Sequence, residues 1–348
     1  MNTRSIALRA VEYRIYFVLL AAILILAMVA PGFVAGSTLT SVLQGAAFNG
    51  LMGLGLTVVL IAGQLDLSLG STVALSGMAA IGLQPFIGAP LAAVVGVSAG
   101  SLVGILNGVL VAFGRINGMI ATLATMLGIR ALALTITGSR PVVGVDLNFG
   151  LIVDQPILGP ITLRIAAFLM LAIVVQYVLL NTNFGRNLYA IGGNVEAARL
   201  SGIRSDRHIF LAYVVSGTAS GLAGTILALS LNTGSPNVDA NTIIIVLAAV
   251  VVSGTSLAGG TGDAMRTVAG ILLISTLVVG MNIMDVPSYY QSVSIGTILI
   301  AVILLDRVSL SYGMRSARLA SARAMRHAAR VSSLEPKDPP AHEASSAG

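Results

Sequence analysis

The 348-residue chain contains no cysteine, no tryptophan and a single lysine, Lys337, and only 9% of its residues are charged. The missing cysteines exclude a disulfide framework, a thiolate metal site and a thiol nucleophile. The three histidines, His208, His327 and His342, stand far apart in the sequence and leave no metal-ligating cluster. A Walker-type phosphate loop needs a lysine directly after its glycine run, and no glycine run precedes Lys337. Soluble domains carry roughly a quarter charged residues, so this chain cannot coat a globule of its size with polar surface. A bilayer removes that need, because lipid replaces water around most side chains.

What is present is apolar: 56% of residues are hydrophobic. A membrane-crossing helix needs about 20 such residues. The chain offers about ten runs, near 15–34, 40–62, 67–84, 90–112, 118–138, 163–181, 208–231, 242–258, 264–284 and 289–306. The expected fold is all-α, a polytopic transmembrane helical bundle. The runs at 67–84 and 242–258 are short or glycine-interrupted, as expected of bent or re-entrant segments buried by their neighbours. The apolar part of the first run, Ile15 to about Val29, sits at or beyond the upper limit of a signal-peptide core and lacks a clear small-residue cleavage site after it.

Basic residues fix the expected orientation, since they accumulate on the cytoplasmic side. With ten crossings and an internal N-terminus, Arg115, Arg186, Arg199, Arg204, Arg207 and Arg266 fall inside, and only Arg140 and Arg164 fall outside. Both termini are then cytoplasmic. The expected organisation is a cytoplasmic segment at 1–14, a membrane domain at 15–308, and a tail at 309–348 that is first basic, then disordered. The net charge of +6 reflects this topology and membrane lipid, rather than nucleic acid. The 39 glycines suit close packing of helices in lipid.

Three classes of function fit such a chain. An ion-coupled carrier places acids deep in its helices, whereas Asp66, Asp285 and Asp306 fall at or near expected helix ends. Arg130 is the one strong charge inside an expected span. An intramembrane serine protease needs a glycine-flanked serine and a histidine at depth. The Ser-Gly pairs at Ser76, Ser216 and Ser253 lack the flanking glycine two residues earlier. The third class is the membrane part of an ATP-driven transporter, with ATP and Mg on a separate subunit and no cofactor on this chain.

That class requires an input port. Asn194-Val-Glu-Ala-Ala-Arg-Leu-Ser-Gly-Ile203 reads as a self-contained two-turn helix in the longest internal loop. Asn194 caps the first free N–H groups, and Glu196 and Arg199 sit at the dipole ends that favour them. Gly202 supplies a left-handed terminator, with Ile203 packing back on Ala198 in a Schellman ending. So short a helix is marginal alone in water. It is either a connector packed on its own helix ends or a coupling helix that fits an ATPase groove.

Four segments resemble one family, the inner-membrane permeases of bacterial ATP-driven importers for ribose, xylose, arabinose and related sugars. They are Gly53-Leu-Gly-Leu-Thr-Val-Val-Leu-Ile-Ala-Gly63 leading to Asp66-Leu-Ser-Leu-Gly-Ser71; Ile120-Ala-Thr-Leu-Ala-Thr125 through Arg130 to Thr137-Gly138; Phe184-Gly-Arg186 through Ala190-Ile-Gly-Gly-Asn194 to Gly202-Ile203; and Gly254-Thr-Ser-Leu-Ala-Gly-Gly-Thr-Gly262. The resemblance runs from about residue 15 to residue 307. It implies a non-catalytic, multi-pass subunit of the bacterial cytoplasmic (inner) membrane with a type II importer-like fold. The implied partners are an ATP-binding cassette subunit, a second permease copy or paralogue, and an extracytoplasmic sugar-binding protein.

The resemblance places the ATPase-coupling loop at Gly192, Gly193, Asn194, Glu196, Ala197, Ala198, Arg199 and Gly202. It places an Asp-Leu-Ser turn, Asp66 with Ser68, at a cytoplasmic return, where Asp66 would accept from the N–H of Ser68 or Leu69. Two departures stand out. Gly63-Gln64 replaces the usual Gly-Gly, and Ile243-Ile-Ile245 replaces a Glu-Leu-Asp triplet, which removes two acids expected at the outer vestibule. A divergent paralogue, or one half of a heterodimer, would carry such changes. Gln44, Asn49, Asn107, Thr122, Thr125 and Asn282 are the candidate polar residues of a translocation path, with interhelical hydrogen bonding as their other reading. A branched-chain amino acid or a nucleoside is the alternative solute.

Overall fold

The computed structural model describes residues 14–237, 240–298 and 300. The expected segments at 1–14 and 309–348 lie largely or wholly outside them, as does the end of the tenth expected span. In a bilayer interior only a helix or a closed barrel satisfies every backbone group, and within the described residues each apolar run forms a helix over all or part of its length. These are α1 (Arg14–Val29), α2 (Gly36–Ile61), α3 (Leu69–Gly82), the short α4 (Gln84–Ile87), α5 (Ala89–Gly108), α6 (Gly118–Thr137), α7 (Leu147–Ile152), α8 (Leu163–Asn181), α9 (Asn183–Gly193), α10 (Val195–Leu200), α11 (Ser205–Ser230), α12 (Ala240–Val252) and α13 (Ala264–Ile283). A further helix, α14, covers 288–298. A π-helical turn, Val109–Phe113, extends α5.

Among the described residues, six helices are long and apolar enough to cross a membrane: α2, α5 with its π-turn, α6, α8, α11 and α13. The apolar helices α1 and α3, and residues Thr242–Val252 of α12, are shorter than that. The expected span at 242–258 is cut back because Ser253 begins a loop that runs to Asp263. The bundle is also not purely α. At one end, β1 (Val142–Val143) pairs with β4 (Thr233–Gly234), and β2 (Pro156–Leu158) pairs with β3 (Ile161–Thr162). These pairs lie in connections outside the helices, where backbone groups freed from helices find each other.

The centre of the bundle is α11, packed against α5, α3 and α2. Its contact with α5 is built on glycine. A methyl group added at Gly217 would land on the Gly100 carbonyl, and one at Gly221 would approach the α carbon of Gly100 to 3.0 Å. Backbones therefore touch directly, which is how helices gain dispersion contact where no hydrophobic drive exists between them. On the far side, α3 approaches α11 where Gly224 meets Val73. The π-turn follows the tightest stretch of α5, next to Gly104 and Gly108 against Tyr213 and Phe210.

At the end opposite α9 and α10, Asp154, Arg164 and Ser230 form a closed hydrogen-bonded triangle tying α7 and α8 to the end of α11. Gln84 Oε1 accepts from the N–H of Val145 at 3.0 Å and holds the 139–146 connection down.

Gly217→Ala overpacks the seam between α11 and α5, a change that costs about 1–3 kcal/mol in a close-packed interior. The purified protein is expected to lose several degrees of thermal midpoint. Gly128→Ala, on an α6 position with open space beside it, is expected to leave the midpoint unchanged.

Candidate functional site

Between α2 and α3 the chain does not simply turn. After Gly63, residues 64–68 run without helical or sheet pairing, yet Asp66 and Ser68 are 2% and 1% exposed. Irregular backbone at depth survives only where protein groups replace the lost hydrogen bonds. Here they do. The Leu65 carbonyl accepts from the Tyr213 hydroxyl at 3.0 Å, and the Leu67 N–H donates to Thr122 Oγ1 at 3.1 Å. The Asp66 carboxylate accepts from the Ser68 N–H at 2.9 Å, from Ser68 Oγ at 2.7 Å and from Ser216 Oγ at 2.8 Å. Asn107 Nδ2 donates to Ser68 Oγ at 2.8 Å. The strap is pinned by α5, α6 and α11 at once.

This revises the placement of Asp66. It accepts from the Ser68 N–H, as expected of a turn before α3, but it is buried rather than set at the cytoplasmic end of the bundle. Its partner Ser216 stands roughly 16 Å along α11 from Ser205, at ~1.5 Å per residue. Asp66 is thus a buried acid in the middle of the bundle, at the head of the half-length helix α3. Ile243, where the resemblance leads one to expect an acid, packs its side chain against Gly70 in the first turn of α3. Position 243 is half-buried against the first turn of α3.

At its other end the strap enters a junction of three segments. The Gly260 N–H donates to the Ile61 carbonyl at 3.0 Å. A methyl group at Gly259 would lie 2.6 Å from the α carbon of Gly63, and one at Gly192 would collide with the Ile61 carbonyl. Gly259 has φ 90°, a backbone that L side chains rarely adopt. The junction is stapled from the side. Tyr189 donates to the Gly262 carbonyl at 2.9 Å, and burial, with Asp263 second, raises its hydroxyl pKa above the ordinary tyrosine range. Asp263 caps α13 by accepting from the Arg266 N–H at 2.8 Å, and Gln176 of α8 donates to Asp263 at 2.9 Å.

From this junction α10 projects. Asn194 accepts from the Ala197 N–H at 3.0 Å. The Gly202 N–H donates to the Arg199 carbonyl at 2.9 Å, and the Ile203 N–H to the Ala198 carbonyl at 3.0 Å. That is the double bond of a Schellman ending, with Gly202 at φ 82°. Only Ala198 of the helix is buried. Arg199 bridges Asp206 at 3.0 Å and Glu196 at 3.6 Å. Leu200 is 90% exposed.

Of the six polar residues expected on a path, Asn107 and Thr122 join the Asp66 cluster. Thr125 spends its hydroxyl on the Ala121 carbonyl, and Asn282 is exposed and accepts from Gln291. Gln44 and Asn49 lie half-buried on α2, and no hydrogen bond joins them to the cluster. The structure does not gather the six. Sequence reading missed Ser216, Tyr213 and Leu200. Ser216 was visible only as one of three Ser-Gly pairs, and nothing local marked its partner.

Comparison with known proteins gives the family. Residues 37–303 match the model of the branched-chain amino acid transport system / permease component family. A ribose import permease of Bacillus subtilis is 38% identical over 294 residues, covering 82% of this chain and 89% of that one. A ribose import permease of Escherichia coli K12 is 34% identical over 303 residues, covering 85% and 93%. The D-allose transport system permease of the same strain is 31% identical over 303 residues, covering 85% and 92%. No solved structure is a significant match. The four segments that carry the resemblance converge here on one strap and one junction, and the chain belongs to the family of these membrane transport permeases.

Proposed function

We propose that the chain is the membrane-spanning subunit of an ATP-driven importer for a monosaccharide in a bacterial cytoplasmic membrane. The observation that carries the mechanism is the continuous link from α10 through the glycine junction to the buried strap. ATP is hydrolysed on a separate cassette subunit that docks on α10, and the sugar arrives from an extracytoplasmic binding protein. The sugar relatives, at 31–38% identity, favour a sugar over the branched-chain amino acid of the family's title.

The reading includes ten crossings, with the three short apolar helices and the segment beginning with α14 completing the six long spans. Arg115, Arg186, Arg199, Arg204, Arg207 and Arg266 gather at the α9–α10 end, and Arg140 and Arg164 at the other. That asymmetry supports a cytoplasmic α10. Arg130 is exposed on α6 beside Leu127 and Leu132. An arginine facing lipid at mid-helix is costly, so α6 faces a second permease copy or paralogue across an aqueous path. Thr122 and Thr125, on the same helix, are then positioned near the path rather than in it.

In operation, ATP-driven closure of the cassettes displaces α10. The junction has no side chains to absorb the displacement, so Gly63 moves with Gly192. The strap and α3 shift against α11, and the sugar path opens to alternate sides.

Leu200→Ala removes no internal packing. If the side chain fills a groove on the cassette subunit, its loss costs about 1.5–3 kcal/mol, roughly 10–100-fold in affinity. Co-purification and ATP-driven uptake in proteoliposomes should both fall, with the permease folded. Asp66→Ala leaves the Ser216 hydroxyl and the Ser68 N–H unpaired at about 1–3 kcal/mol each. Uptake should fall at least tenfold while cassette binding persists. The overall reading is tested by reconstitution: sugar uptake must require ATP, the cassette subunit and the binding protein. Gradient-driven uptake by this chain alone would contradict it.

A further inference from the structure

One cavity belongs neither to the strap nor to the junction. It is a groove of about 260 Å³ between α8 and α11, with Phe184 of α9 in its lining. Its walls are aliphatic, with Val175 and Val178 from α8 and Val215 and Leu222 from α11. Its one hydroxyl-bearing residue, Thr218, directs Oγ1 to the Val214 carbonyl at 2.8 Å and to Ser101 at 2.9 Å. No polar group is left to recognise a sugar or an ion. The volume is below the ~300–1,000 Å³ of ordinary small-molecule pockets. Both walls are candidate membrane spans, and Val174 at the lip is 50% exposed.

The Phe184 end is bordered by polar groups. Phe184 stacks on His208 with ring centres 5.7 Å apart, and Asn187 meets the same imidazole at 3.0 Å. Arg186, two residues beyond Phe184, is exposed. Its recorded partner is the neutral amide of Asn183, and it makes no ion pair among the described residues. Arg207, next to His208, is also exposed. An aliphatic slot between two candidate spans, with two exposed arginines outside any ion pair among the described residues on the segments that carry its Phe184–His208 end, fits one chemistry, an acyl chain carrying an anionic headgroup.

We propose that this groove is a specific site for an anionic phospholipid, with one acyl chain between α8 and α11 and the headgroup phosphate on Arg186. The site does not depend on the transport reading. Occupancy would brace α9 against α8 and α11.

The absence of tryptophan makes the test clean. Val174→Trp supplies a single fluorophore at the exposed lip. The full-length protein, purified in detergent, is titrated with brominated phosphatidylglycerol or with brominated phosphatidylcholine. Phosphatidylglycerol should quench at several-fold lower mole fraction, and adding Arg186→Gln should erase the difference. Because both changes are at exposed positions, the protein's thermal midpoint should hold and serves as the folding control. Equal quenching by the two lipids would overturn the proposal in favour of ordinary annular contact. No quenching by either lipid would overturn it in favour of a protein neighbour over the groove.

Discussion

Everything at the centre of this bundle depends on hydrogen-bond replacement around an unwound segment. Residues 64–68 leave the helix inside the protein, where Asp66 and Ser68 are buried and an unpaired buried group costs about 1–3 kcal/mol. Tyr213, Thr122 and the Asp66 side chain supply the missing partners. Each comes from a different element, so the strap keeps its conformation only while α6 and α11 hold their places. A shift of one element against another must therefore re-form or break these bonds, which gives the bundle discrete arrangements rather than gradual deformation.

The glycine junction answers the same constraint from the other direction. A helix such as α10 is too short to be stable by itself and transmits motion only if what lies behind it is stiff. Close backbone contact among Gly63, Gly192 and Gly259 leaves no flexible side chain in between, while Tyr189, Asp263 and Gln176 brace the flanks. In the proposed mechanism the exposed Leu200 and the buried Asp66 are the ends of one mechanical element built from three sequence-distant loops.

Much of this was legible in the sequence, and the unreadable part has a physical cause. Apolar run length located the long helices to within a few residues, because in lipid a run has no other stable form. The 163–181 run is α8, residue for residue. The caps of α10 were readable because Asn194 and Gly202 act within a few residues of themselves. Asp66 was misplaced for the converse reason. Its position between two apolar runs suggests a cytoplasmic return, and only the contact with Ser216, distant in the chain, reveals that it is buried in the bundle. The isoleucine run at 243–245 was likewise visible, but the place of Ile243 beside Gly70 was not.

The claim that α10 and the strap form one mechanical element is tested most directly by hydrogen–deuterium exchange of the assembled transporter, with and without a non-hydrolysable ATP analogue. The account predicts that the amides of residues 63–68 change exchange rate together with those of 192–202 when nucleotide binds. Altered exchange at α10 with an unchanged strap would contradict it.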